Sequence, residues 1–395
     1  MRRFSAGIWV LVLGYTLSQF YRAFMAVLSP VLREDIGAGP GDLAISSGVW
    51  FFAFAGMQVA VGSWLDRYGP RRTASGLMLV AAAGAAVFAC ASAPWHLHVA
   101  MALIGIGCSP ALMAAYYIFA RNFSLREFGT LAGTFVAVGA LGNILSASPL
   151  EAYADAVGWR AAMWSMVAVT LGVAVAEYLV VRDPERLDAS HPAGRLSDIL
   201  RLRALWFILP LFSVNYAASA AIRGLWAGPY LEEVYHASGE MIGHAALLMG
   251  LAMIAGNFLA GPAVRLVGSV RRTILIGTAG TVVVIGGLWL FTASSLTLSV
   301  TLLALVGFSG ASYVLLIAHG RAFLPPHLVG RGVTFLNMFS IGGTGMLQFG
   351  SRPVYQWASA HGDAAQAYST LFLFFTLPLA LGLALYFLTP EAPRD

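Results

Sequence analysis

The sequence predicts an all-α integral membrane protein: twelve transmembrane helices in two pseudo-symmetric six-helix bundles. Three observations carry that expectation: an apolar composition, twelve apolar runs of bilayer length, and a repeat relating the two halves of the chain. Of 395 residues, 59% are hydrophobic and 10% are charged, against about 25% charged in soluble domains. Mean hydropathy is +0.77, and a water-soluble enzyme is excluded. All 23 basic residues are Arg, which removes Schiff-base, Lys-acetylation and P-loop Lys chemistry. Cys90 and Cys108 lie in apolar runs and are too few for a disulfide framework or a metal site.

A bilayer core of about 30 Å takes about 20 apolar residues per helix. Runs of that kind cover 7–31, 43–65, 73–93, 97–120, 128–150 and 160–181, then 205–229, 240–264, 273–293, 297–320, 332–350 and 367–389. The first run is too long and too continuous with a second span for a cleaved signal peptide, and no A-x-A site follows it, so it reads as a retained helix. With the N-terminus in the cytoplasm, alternation puts 18 arginines inside and three outside (Arg33, Arg160 and Arg352), leaving Arg22 and Arg223 within spans. The positive-inside rule then makes both termini cytoplasmic, in an inner membrane of bacterial type. The net charge of +5 therefore concerns topology, and no nucleic-acid partner is expected. The polar stretch from Arg182 to Arg203 reads as a cytoplasmic connection, which gives an N-terminal bundle over 1–182, a linker over 183–203 and a C-terminal bundle over 204–395.

The repeat has an offset of about 200. Tyr15, Ser18 and Arg22 in span 1 match Tyr216, Ser219 and Arg223 in span 7, all three pairs 201 residues apart. Spacings of three, four and seven set each trio along one helical face. The loops after spans 2 and 8 also repeat, as GSWLDRYGPRR from Gly62 to Arg72 and GPAVRLVGSVRR from Gly261 to Arg272.

The first of those loops resembles the signature loop of the major facilitator superfamily. The resemblance extends over the whole chain through its twelve spans, its two halves, its central linker and the GWR at Gly158–Arg160. It implies a cytoplasmic latch built on Gly62, Asp66, Arg67, Gly69, Arg71 and Arg72 that holds an outward-facing state. In that latch Gly62 lets spans 2 and 11 approach and Asp66 meets a helix N-terminus. The three arginines anchor the loop at anionic headgroups. The second copy has Arg265 where the first has Asp66, which weakens the case for a matching latch there. Two departures argue against the family's drug efflux pumps: span 4 has Met101 near the place of a proton-linked arginine, and span 5 reads GALGNILSASPL with no G-P-x-x-G pattern.

Three formally charged side chains fall well inside spans: Arg22, Arg223 and Glu177. An arginine at mid-bilayer costs about 2.5–3.5 kcal/mol, so each needs a wet cavity or a partner. The resemblance implies that spans 1, 4, 7 and 10 line a central cavity in which Arg22 and Arg223 face each other. Guanidinium forks match carboxylate and phosphate, so the natural counter-ion is an anionic small-molecule substrate. The family's organophosphate/phosphate exchangers are similar in carrying an arginine on span 1 and another on span 7. The structural alternative has each arginine satisfied by backbone carbonyls or by Gln58 or Asn257.

Candidate walls of the site are Tyr15, Ser18 and Gln19 on the Arg22 face, and Asn215, Tyr216, Ser219 and Trp226 on the Arg223 face. Tyr116, Tyr117, Tyr313 and Asn337 join them from spans 4, 10 and 11. Trp226 lies in RGLWAGPYL, a candidate gate. Glu177 and His319 are the candidates for a coupling proton, and both are expected to lie toward the interface. Glu177, on a peripheral span five residues from Arg182, should snorkel to it. No Walker motif and no metal-ligand spacing are present, so no cofactor is expected.

The first reading is a secondary transporter, by symport or antiport, for a small organic or phosphorylated anion. It would act as a monomer in the lipid bilayer, with a proton or counter-substrate as coupling partner. The alternative is proton-coupled transport of a neutral or aromatic solute such as a drug or vitamin. A receptor of the same fold stands as a third reading. No paired carboxylates, nucleophile or metal cluster suggests an enzyme.

Overall fold

In a membrane every backbone N–H and C=O has to be satisfied within the protein, which leaves helices as the unit of construction for such apolar runs. The computed structural model describes residues 6–123, 131, 134–184, 201–324 and 329–391. Every regular element among them is helical. The side chain of Asp66 and residues 185–200 of the predicted linker lie outside the described ones.

Span 1 consists of Ala6–Phe20 and Phe24–Ile36, bent by 48°. Spans 2 and 3 are Pro40–Leu65 and Arg67–Ala89. Span 4 is Pro94–Cys108 with Ala111–Asn122; span 5 is Thr134–Leu145 with Ser148–Val157, bent by 40°; span 6 is Trp159–Val180. Span 7 runs as Arg203–Ala221, a π-helical turn at Ile222–Trp226, and Ala227–Tyr235. Spans 8 and 9 are Gly239–Val267 and Val270–Leu290. Span 10 is Leu296–Ser309, a 3-10 turn at Gly310–Ser312, and Tyr313–Ala322. Spans 11 and 12 are Val329–His361 and Ala364–Tyr386.

Eight helices among the described residues are long and apolar enough to cross a membrane, and ten do so when each bent pair is one span. The remaining two of the twelve spans are span 10, cut short by its 3-10 turn, and span 11, whose apolar run is diluted by Asn337, Thr344 and Gln348. The protein is thus a multi-pass membrane protein. Exposed apolar side chains such as Val59, Leu179, Leu266 and Val283 suit a surface that meets lipid.

The chain divides into two compact units, Met1–Asp188 and Ala189–Asp395. Inside the first, span 1 packs on spans 4, 5 and 6; inside the second, span 7 packs on spans 10, 11 and 12. The halves repeat their irregularities as well. Span 1 breaks at 21–23 and span 7 has its π turn at 222–226; span 4 breaks at 109–110 and span 10 has its 3-10 turn at 310–312.

Local chemistry accounts for several of these. Pro110 has no N–H to donate, and Gln58 Nε2 donates to the carbonyl of Ser109 just before it, at 3.2 Å. Pro229 likewise has no N–H to give to Leu225, one turn back inside the π turn of span 7. In the first turn of span 3, Gly69 adopts φ +83°, a conformation open to glycine at little cost. Pro70 follows it at the start of span 3, where a missing N–H costs nothing.

Candidate functional site

In the first half, the helix of span 1 stops at Phe20, and the amide of Arg22 reaches back three residues to Gln19 O at 3.3 Å. The guanidinium carbon lies 5.1 Å from the ring centres of both Trp50 and Phe54 on span 2. These two rings stand one helical turn apart, stack at 5.0 Å and are buried. A cation against aromatic faces gains about 0.5–2 kcal/mol, which offsets part of the cost of an arginine in the membrane. Stacking uses the flat face of a guanidinium, whose donors point in its own plane. Gln58, weighed above as a partner for the arginines, instead spends its amide N–H on Ser109 O.

The other first-half candidates are spread over several tasks. Tyr15 stacks on Phe135 at 5.4 Å, and its hydroxyl accepts a hydrogen bond from Gln19 Nε2 at 2.9 Å. Ser18 is fully buried beside Cys108 of span 4. Tyr116 and Tyr117 are half-buried, and the Tyr117 ring lies 4.2 Å under the guanidinium carbon of Arg121.

In the second half, Arg223 is 6% exposed and sits inside the π turn of span 7. Such turns displace one residue from the regular ladder and recur at functional sites. Tyr216 packs on Tyr313 with ring centres 4.8 Å apart. Ser219 is buried and its Oγ has no hydrogen-bond partner among the described residues. Asn337 is half-buried on span 11. Asn215 is occupied with its neighbours, its Nδ2 donating to Thr278 Oγ1 at 2.9 Å and to Ser312 Oγ at 3.3 Å. Trp226 is fully buried, donates from Nε1 to Ser351 Oγ at 3.0 Å and packs on Tyr355. Both residues join spans 7, 9, 10 and 11 to one another.

The two loops are each tied to an acid just beyond the last span of their own half. Asp183 Oδ1 accepts from the backbone N–H of Arg71 at 2.8 Å, and the Arg71 guanidinium carbon lies 5.3 Å from the Tyr178 ring centre. In the second copy, Ser269 Oγ donates to Glu391 Oε2 at 2.9 Å, and Arg271 Nη2 donates to Phe387 O at 2.6 Å. Arg71 is thus held by protein rather than by headgroups alone. Arg67 lies over the Tyr68 ring at 5.3 Å; Arg67 and Arg72 are exposed. Gly62 is exposed, and within its own half nothing stands within 4 Å of where a Cβ would be.

Glu177 and His319 are both buried within their own halves rather than exposed at a surface. Glu177 is 0% exposed because its face of span 6 packs on span 1, where Gly14 makes room for the carboxyl. His319 is 1% exposed, and its Nδ1 bonds the Tyr386 hydroxyl at 2.6 Å.

Four further groups at these sites went unread in the sequence. Trp50 and Phe54 have the i, i+4 spacing that places two rings on one face. Glu233 accepts from the hydroxyls of Tyr355 and Tyr368 at 2.5 and 3.1 Å. Gln348 is fully buried with neither amide atom hydrogen-bonded among the described residues. It stands one turn before Ser351 as Arg223 stands one turn before Trp226.

Known proteins share this architecture. A D-xylose-proton symporter is similar with a TM-score of 0.78 at 15% identity, covering 98% of both chains. A bacterial homologue of the human lysosomal transporter Spinster gives 0.74 at 16% identity, covering 97% of this chain and 96% of its own. At such identities the likeness concerns the fold. Among curated proteins, a probable sulfoacetate transporter of Cupriavidus necator is 23% identical over 264 residues, 62% of this chain and 61% of its own length. A probable L-galactonate transporter of Escherichia coli is 24% identical over 281 residues, 65% of this chain and 60% of its own length. Human monocarboxylate transporter 11 is 29% identical over 229 residues, 56% of this chain and 47% of its own length. The chain thus spans about three fifths or less of the length of these relatives. The profile of the Major Facilitator Superfamily matches residues 11–346, and with twelve spans in two repeated halves the chain belongs to that superfamily.

Proposed function

We propose that this chain is a secondary transporter that carries a small organic or phosphorylated anion across a bacterial-type inner membrane. In this proposal both termini are cytoplasmic, and Arg22 and Arg223 are the anion-binding groups. The observation that carries the reading is the duplicated arginine: each half has one within a span, 201 residues apart, and each sits where its helix departs from α geometry. Irregular backbone at membrane depth is tolerated where it is buried or lines a cavity. The relatives named for sulfoacetate, L-galactonate and monocarboxylate transport support an anionic cargo.

In this mechanism two guanidiniums repel until a carboxylate or phosphate neutralises them. A loaded protein then closes more readily than an empty one, and the halves rock about the bound anion. Tyr15 and Tyr216 supply walls beside the two arginines, together with Ser18, Gln19, Ser219, Tyr313, Tyr116, Tyr117 and Asn337. The loop from Gly62 to Arg72 acts as the cytoplasmic latch.

The test is uptake by liposomes containing the purified protein, with sulfoacetate, L-galactonate, simple monocarboxylates and organophosphates supplied in turn. Arg22→Gln and Arg223→Gln are each expected to lower uptake of the transported anion by about 100-fold, the loss of one charge-assisted interaction of about 3 kcal/mol. Arg→Lys at either position is expected to fail as well, since a point charge does not reproduce a planar fork. Undiminished uptake by either Gln variant refutes the anion-binding role.

A further inference from the structure

Among the described residues, Glu177 is the one buried carboxyl with no hydrogen-bond partner on either oxygen. Its side chain is 0% exposed, and neither oxygen has a hydrogen-bond partner among the described residues. A Cβ placed on Gly14 of span 1 would stand 2.5 Å from Oε1 and 3.1 Å from the Met78 methyl of span 3. The carboxyl therefore lies in the notch where spans 1, 3 and 6 meet, and only a glycine at 14 leaves room for it. Among the described residues, Cys108 of span 4 is a titratable group close enough to interact with it, and Arg22 acts on that same thiol. Arg22 itself is eight residues beyond Gly14 on span 1, about 12 Å along the helix.

We propose that Glu177 is a proton-binding site, and that its proton is released and retaken as span 1 moves against span 6. An isolated carboxylate in an apolar setting costs several kcal/mol unless paired, and the packing offers no pair. The neutral acid is the form that fits. A sodium ion would need several oxygen ligands, whereas Gly14 and Met78 bring no side-chain oxygen and their carbonyls lie in helices, so a proton is the cation that suits the notch. The O–H bond breaks when the notch opens to water, with the proton passing to solvent, and forms again when the notch closes; no electrons move. Span 1 also carries Arg22 at its break, so anion binding and proton binding act on one movable helix. The use of this proton in transport rests on the anion-transporter reading; the proton site does not.

Infrared spectroscopy of the purified protein tests the site without any substrate. The wild type is expected to show the carbonyl stretch of a buried neutral acid at pH 7, shifted in heavy water, absent in Glu177→Gln and shifted in Glu177→Asp. A wild-type spectrum lacking that band, or a band that survives in Glu177→Gln, overturns the proposal. A second arm measures accumulation of L-galactonate or sulfoacetate in liposomes under an inward proton gradient. One proton per anion supports about ten-fold accumulation per pH unit, and Glu177→Gln is expected to lose that dependence, its accumulation ratio falling to one. Gradient-driven accumulation that persists in Glu177→Gln also overturns the proposal. Failure of both anions to enter at all would count against the arginine site, and the infrared band would still decide for or against Glu177.

Discussion

The same place in the two halves is filled in opposite ways. Gly14 and Asn215 are 201 residues apart, and Met78 and Thr278 are 200 apart, so each pair occupies the corresponding position where the first span of a half meets the third. In the second half the place holds a closed polar group: Asn215 donates to Thr278 and Ser312. In the first half glycine and methionine leave a gap, and span 6 fills it with the carboxyl of Glu177, which bonds to nothing described. The residue 201 beyond Glu177 is Pro378, which has no polar side chain to offer. One copy of the scaffold has turned the position into glue; the other keeps a group that its packing does not satisfy. A buried polar group without a partner costs stability, so its presence calls for a task outside packing.

Three substitutions sharpen or break this contrast, and thermal unfolding in detergent reads each of them. Gly14→Val drives a side chain into the Glu177 carboxyl and the Met78 methyl and is expected to cost about 3 kcal/mol, at the upper end for overpacking. An unfolding midpoint equal to the wild type's would mean that the notch is not tight. Glu177→Met removes a buried group with no partner and is expected to stabilise by about 1–3 kcal/mol while ending any dependence of uptake on a proton gradient. A lower midpoint for this variant would show that the carboxyl is bonded after all. Asn215→Ala leaves two hydroxyls to re-pair and is expected to cost about 0.6–1.7 kcal/mol, the range for hydrogen bonds between membrane helices. Its uptake should change far less than that of Arg223→Gln, and a comparable loss would move Asn215 from glue to the substrate site.

Much of the fold was legible because one solvent, the bilayer, dictates run length and forbids most alternatives. The repeat was legible too, and it selected Arg22 and Arg223 from 23 arginines. The partners of those residues were less so. Trp50 and Phe54 have the right spacing to hold a cation, yet nothing in span 2 says which of its faces meets span 1. Distance along the chain hid the loop anchors, since Arg71 meets Asp183 and Arg271 meets Glu391 across more than a hundred residues. For a related reason Glu177 is buried where its nearness to the end of span 6 suggested a snorkelling side chain. A glycine one hundred and sixty-three positions earlier decided its burial.

The π turn of span 7 has a consequence for how the protein can change. Such a turn absorbs one additional residue while the helix on either side keeps its faces, so Trp226 still reaches Ser351 and Glu233 still reaches Tyr355 and Tyr368. Losing a residue there would restore an ordinary helix and present a neighbour of Arg223 in its place, with those anchors intact. On the proposed anion-binding role of Arg223, a single insertion or deletion at this turn would change cargo preference without the rest of the bundle being rebuilt.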